Sequence, residues 1–197
     1  DIHVHLREPG FEGKETILTG TRAAAAGGVT GVAAMPNTNP VADNQSVIRF
    51  VKEKAKELGW AKVYPIGAIT KGSQGEELAE IGEMQAAGAV AISDDGKPVS
   101  NGQMMRLAME YAGMFDLPII SHAEDLKLAN EGYMHEGYIS TILGFRGISS
   151  VAEDAMVARD LLLAQMTGSR LHIAHVSTAG AVEMIRQAKE KGIHLAV

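Results

Sequence analysis

Five residues in this chain carry side chains suited to holding divalent metal, and all five stand next to apolar runs that would position them. His3 and His5 are two apart in Asp-Ile-His-Val-His, and a strand there puts both imidazoles on one face. Taken alone, the pair reads equally well as two partly exposed histidines. Three further strand ends change that balance. Asp95 follows the run Ala89 to Ser93, His122 closes Leu117 to Ser121, and His175 closes Leu171-His-Ile-Ala. Four neutral imidazoles and a carboxylate exceed the three protein ligands usual for one catalytic zinc, so the set predicts two ions. Asp95 is the expected bridge between ions roughly 3.5–4 Å apart, a pairing that makes a shared water acidic enough to act as a nucleophile. Asp94 would point the other way along an extended chain and reads as a turn residue ahead of Gly96.

The other three histidines are set aside. His172 has the opposite strand parity to His175 and is expected to face the covering helices. His135 lies in a long irregular stretch. His194 begins the last strand, at the wrong end for a site built on strand termini.

The elements that must position the five are legible as alternating short apolar runs and longer amphipathic stretches. Strands are predicted over Ile2 to His5, Val29 to Met35, Lys62 to Ile69, Ala89 to Ser93, Leu117 to Ser121, Leu171 to His175 and Ile193 to Val197. Helices are predicted over Asn44 to Leu58, Glu76 to Ala87, Gly102 to Phe115, Val151 to Met166 and Ala179 to Lys191. Asp43 is the expected cap of the first of these, while Gly59, Gly88 and Gly192 mark helix stops. Strand starts recur about every 32 residues, a normal βαβ length. That rhythm fits an open doubly wound sheet or an eight-stranded barrel. No GxGxxG or Walker-type loop follows the first strand, and the polar residues gather at strand ends, as in a barrel mouth. The fold expected is an α/β, TIM-type (β/α)8 barrel, here its first six βα units and the start of strand seven.

Composition narrows the function further. The chain has 197 residues, 46% of them hydrophobic and 21% charged, which is ordinary for a folded domain. It has no cysteine, so no disulfide framework is available. The longest apolar runs fall far short of the roughly 20 residues a membrane-spanning helix needs. A net charge of −6 disfavours nucleic acid or an anionic membrane as partner and leaves a small-molecule substrate. The first residues lack the basic and apolar regions of a secretory signal, so a cytoplasmic setting is expected.

DIHVHLREPG at 1–10 resembles the first-strand motif of the amidohydrolase superfamily, and in its wording the dihydroorotases. AMPNTNP at 34–40, ISDDGKPV at 92–99, SHAED at 121–125, GYISTILGFRGIS at 137–149 and HIAHVST at 172–178 continue the likeness in order across the chain. The resemblance implies a zinc-dependent cyclic amide hydrolase that interconverts N-carbamoyl-L-aspartate and L-dihydroorotate in pyrimidine synthesis. His3 and His5 then match the pair on one zinc, Asp95 the bridge, and His122 with His175 the second zinc. Arg7 and Asn37 match residues that hold the substrate carboxylate. Arg7, two beyond His5, is expected on the same face, where its planar fork suits a carboxylate.

The acid-base aspartate that the resemblance implies follows an eighth strand and would lie beyond Val197. The chain is therefore expected to belong to a longer polypeptide that supplies the last barrel strands and a flanking β domain. Hydantoinases, dihydropyrimidinases and allantoinases bridge their metals with a carboxylated lysine. Lys97 is the only nearby candidate for that role, which makes their reading a distant second to Asp95. A non-catalytic scaffold for aspartate transcarbamoylase is the alternative from a different class, and association with that enzyme or with further copies of the chain stays open. The stretch 137–149 is expected to be a loop, either one at the mouth that orders with substrate or a plain surface connection.

Overall fold

Short apolar strands that are covered on both faces pair in parallel and lie beneath helices. The computed structural model describes all 197 residues and has this arrangement. In chain order the elements are α1 (Ile17–Ala26), β1 (Gly31–Ala34), α2 (Gln45–Leu58), β2 (Lys62–Pro65), α3 (Ile81–Ala87), β3 (Ile92–Ser93), α4 (Gly102–Gly113) and β4 (Ile119–Ser121). There follow α5 (Leu126–Ala129), β5 (Met134–His135), α6 (Tyr138–Leu143), β6 (Gly147–Ile148), α7 (Val151–Thr167), β7 (Leu171–Ile173), α8 (Ala179–Glu190) and β8 (Leu195–Ala196). β1 pairs with β2, and β3, β4, β7 and β8 form a second parallel ladder in that order. Parallel bridges from Val4 to Ala34 and from Gly67 to Ile92 join the amino-terminal segment and both ladders into one series.

Two layers of packing follow from strand alternation. Ile92, Ile119, Leu171 and Ile173 face outward into a core shared with Met105 and Met109 of α4 and Val157 of α7. Leu6, Val32 and Ala34 do the same against Ile17 of α1 and Val51 of α2. The opposite face carries Met35, Ile66, Ala91, Ile120 and Ala174, which pack on one another inside the sheet. Ile2 and Ala196, from opposite ends of the series, both line one interior cavity of about 430 Å³, so the sheet curls around an inside.

Several predicted boundaries shift, each for a local reason. The predicted strand Ile2 to His5 makes only the Val4 bridge. The strand expected to run to Ile69 stops at Pro65: beyond it Ile66, Gly67 and Ala68 donate their N–H groups to three different segments, at Ala34, Ala91 and Ala42, and Ile69 donates to the Asp94 carboxylate. Helix α3 begins at Ile81 rather than Glu76, since the preceding residues form a 3-10 turn at Lys71–Ser73 and a Thr70–Leu78 bridge. Asn44, not Asp43, caps α2, accepting from the N–H groups of Ser46 and Val47 at 3.0 and 3.3 Å. Asp43 instead accepts from Gly72 N–H at 2.8 Å. Helix α1 lies outside the expected set, although Thr16 and Thr19 form a reciprocal capping pair at its start. The stretch expected to be a loop holds α6 and β6, and β6 pairs in parallel with β5.

Candidate metal centre

The carboxyl ends of the strands bring the five predicted residues together. His3 Nε2 lies 3.2 Å from Asp95 Oδ1, and His5 Nε2 lies 3.6 Å from Oδ2. From the other side His122 Nδ1 stands 3.4 Å and His175 Nε2 3.6 Å from Oδ1. Two groups with ligand atoms mutually within 4.8 Å result, His3–His5–Asp95 and Asp95–His122–His175, and Asp95 belongs to both.

Each side chain arrives by a different route. His3 and His5 flank Val4, whose side chain packs outward on the α1–α2 layer, so both rings turn inward with centroids 5.2 Å apart. His5 Nδ1 is 3.0 Å from Asn37 Oδ1; the ring N–H donates there, which leaves the Nε2 lone pair facing Asp95. Asp95 is held by its neighbour. Asp94 accepts from Ile69 N–H at 2.8 Å, Thr70 N–H at 3.1 Å and the Thr70 hydroxyl, which fixes the turn that presents Asp95. Asp94 thus faces away from Asp95, as expected, but as a buried anchor rather than a plain turn residue.

His175 corrects the parity argument. Ala174 faces the interior, so an extended chain would turn His175 outward; instead its backbone is left-handed, φ 36°, and the ring lies in the mouth. Its Nε2 comes within 3.0 Å of His122 Nδ1. His172, read as facing the helices, lines the interior cavity with Ile120 and Ala33. His194 lines the same cavity, away from the five. His135, set aside at first, lines a cavity of about 760 Å³ together with His122, Glu124, Glu153 and His175. Arg7 also has a left-handed backbone, φ 59°, so strand alternation does not extend to it, and its guanidinium makes no hydrogen bond or ion pair within the chain.

The electrostatics suit cations. Burial pushes the Asp95 carboxyl up, but His122, His175 and His3 around it outweigh that and hold it well below the usual carboxylate range. Contact with Asp95 raises His175, whereas burial lowers His3 despite the same carboxylate. Asp95 Oδ1 is buried with no hydrogen-bond partner while four imidazole nitrogens face this carboxylate. A buried, unpaired carboxylate oxygen among imidazole nitrogens is a donor set that fits divalent metal.

Parallel strands under helices, with two groups of residues that could hold metal at their carboxyl ends, define an α/β protein with a candidate site at the strand termini. The chain belongs to the dihydro-orotase-like family, whose pattern matches residues 1–181. It is 64% identical over 195 residues to a dihydroorotase of Pelotomaculum thermopropionicum, covering 99% of this chain and 45% of that protein. A dihydroorotase of Syntrophotalea carbinolica is 62% identical over 192 residues, covering 98% and 45%. The chain thus spans about half the length of the curated relatives it matches. The solved L-hydantoinase (dihydropyrimidinase) of Arthrobacter aurescens superposes with a TM-score of 0.80 at 22% identity, over 99% of this chain and 45% of that one. A Saccharomyces cerevisiae dihydroorotase in complex with 5-fluoroorotic acid gives 0.73 at 17%, over 100% and 54%. At such identities these two likenesses are of fold alone.

Proposed function

We propose that the protein is a zinc-dependent dihydroorotase, a cyclic amide hydrolase interconverting N-carbamoyl-L-aspartate and L-dihydroorotate in pyrimidine synthesis. The observation that carries this reading is the convergence of four imidazoles on the buried carboxylate of Asp95. Its substrate class rests on relatives named dihydroorotase at 64% and 62% identity. His3 and His5 would hold one zinc, His122 and His175 the second, with Asp95 shared between them. When bound, such ions supply Lewis-acid polarisation of a carbonyl and lower the pKa of water.

The chain's own residues do the rest. Asn37 fixes the His5 ring, and Asp94 fixes the turn that carries Asp95. Arg7, with no partner in the chain, and Asn37 are the residues proposed to meet the substrate carboxylate. Proton transfer to the leaving nitrogen falls to an aspartate after the last barrel strand of the longer polypeptide, which is not β8 of this chain. An intact ligand set favours catalysis over a non-catalytic scaffold, and Asp95 in the bridging position favours dihydroorotase over the lysine-bridged hydantoinases. The reading carries with it a cytoplasmic setting.

Metal analysis with a dihydroorotate hydrolysis assay on the full-length protein tests the proposal. Two zinc ions per chain with turnover that disappears in Asp95→Ala is the expected result. A zinc-loaded protein without turnover on either substrate would overturn it.

A further inference from the structure

Helix α7 reaches, with charged side chains, the residue before His122, the residues just after His175 and the loop that follows Asp95. Glu153, in its first turn, accepts hydrogen bonds from Ser177 N–H at 3.0 and 3.1 Å and from Thr178 N–H at 2.9 Å. These lie just after His175, whose left-handed backbone needs the following residues held. Two turns on, the fully buried Asp160 accepts from the hydroxyl of Ser121, the residue before His122, at 2.6 Å. Arg159 donates its Nε–H to Asp160 at 2.8 Å and its Nη1–H to the carbonyls of Val99 and Ser100 at 2.8 and 3.2 Å, in the loop that follows Asp95.

Seven residues separate Glu153 from Asp160, so both lie on one helix face roughly 10 Å apart. A buried carboxylate is costly unless its hydrogen bonds are made, and the one partner of Asp160 outside α7 is Ser121, directly before His122. The approach of the neighbouring helix is equally constrained: a Cβ at Gly180, at the start of α8, would come within 2.6 Å of the Asp154 carboxylate. The His3–His5 pair is arranged differently, by its own strand and by Asn37.

We propose that α7 is the template of the second half-site, with Glu153 and Asp160 as positioning residues that set His175 and His122 relative to one another. The inference rests on the two-ion reading above. Its consequence is selective: disturbing these side chains weakens the ion held by His122 and His175 and spares the one held by His3 and His5.

Zinc titrated into the metal-free, full-length protein against a chromophoric chelator tests this, with His175→Ala identifying which affinity belongs to the second group. Glu153→Ala and Asp160→Ala are expected to weaken that ion 10- to 100-fold, on the order seen when groups behind metal ligands are removed. The other ion is expected to move less than about threefold, within the context-dependence of such effects. Leu161→Ala, which opens the apolar core beside α7 without touching the polar contacts, is expected to lower the melting temperature and leave both affinities alone. If Glu153→Ala does not fold, Glu153→Gln keeps one acceptor and is expected to show a smaller loss at the same ion.

Unchanged affinities, equal loss at both ions, or the same loss in Leu161→Ala would each overturn the template. Two ions in the wild type with unchanged variants overturn the template alone. A wild type that binds no ion at His122 and His175 overturns the two-ion reading and the template with it.

Discussion

The two halves of the candidate metal centre are assembled by different physics. His3 and His5 are neighbours in sequence, and the period of a strand is enough to aim both rings at one point, 5.2 Å apart. His122 and His175 are 53 residues apart, yet their rings approach more closely, at 4.7 Å. Nothing local brings them together. They meet because β4 and β7 are adjacent in the ladder and because a left-handed residue turns His175 back into the mouth. The first half-site pairs neighbours in sequence, with Asn37 orienting His5, whereas the second joins segments far apart in the chain.

The sharpest way to break this comparison is at the residue both halves share. Asp95→Ala is expected to abolish tight binding of both ions and to lower turnover by more than about 100-fold, exceeding the effect of losing a group behind a ligand. Zinc content and kcat on the full-length protein check it; retention of either ion at wild-type affinity would show that the halves do not share this carboxylate.

Asn37→Ala removes the acceptor that orients His5 and is expected to weaken the His3–His5 ion by roughly 10-fold or more, leaving the other in place. Chelator competition measures this, and a loss confined to the His122–His175 ion would contradict the assignment of Asn37 to the first half.

Protonation separates the halves again, in the metal-free protein. His175 is raised by Asp95, so its proton stabilises the folded chain fully below the ordinary histidine value of 6.5, and that stabilisation is lost as pH rises through the elevated folded value. Asp95 is depressed, so its contribution is present above the ordinary 3.8 and lost only as pH falls through the lowered folded value. His3, lowered by burial, has the opposite sign: charging it on acidification opposes folding. Histidine NMR titration is expected to order the two rings with His175 above His3, and Asp95→Asn is expected to bring His175 down. Zinc requires the neutral rings, so its affinity rises with pH across the same range.

The smallest effect lies farthest from the centre. Asn44→Ala uncaps α2 and is expected to cost about 1 kcal/mol of stability in denaturant unfolding, with zinc content unchanged.

Much of this arrangement was legible before any coordinates. Alternation of apolar runs and amphipathic stretches located the strand series and most of the large helices, and all five metal-type residues, His3, His5, Asp95, His122 and His175, were visible as polar residues ending apolar runs. Helix α1 is not marked by an apolar stripe, since only Ile17 and Thr21 are buried, although its capping pair, Thr16 and Thr19, and its alanine run are both helix signals. His172 was turned the wrong way because its parity was counted from His175, whose own backbone breaks the alternation. Glu153 and Asp160 carried no signal at all, since an acidic residue on an amphipathic helix looks like solvent-facing charge until its partners are known.

Residue types and their periodicity determined by themselves that this chain would stack parallel strands under helices and end several of them in metal-type ligands, because burial and alternation act over a few residues at a time. Which of those ends meet and how His175 is turned inward were decided only by the tertiary structure. Those outcomes depend on hydrogen bonds between segments tens of residues apart, such as Ser121 to Asp160 and Ser177 to Glu153, and no local pattern encodes them.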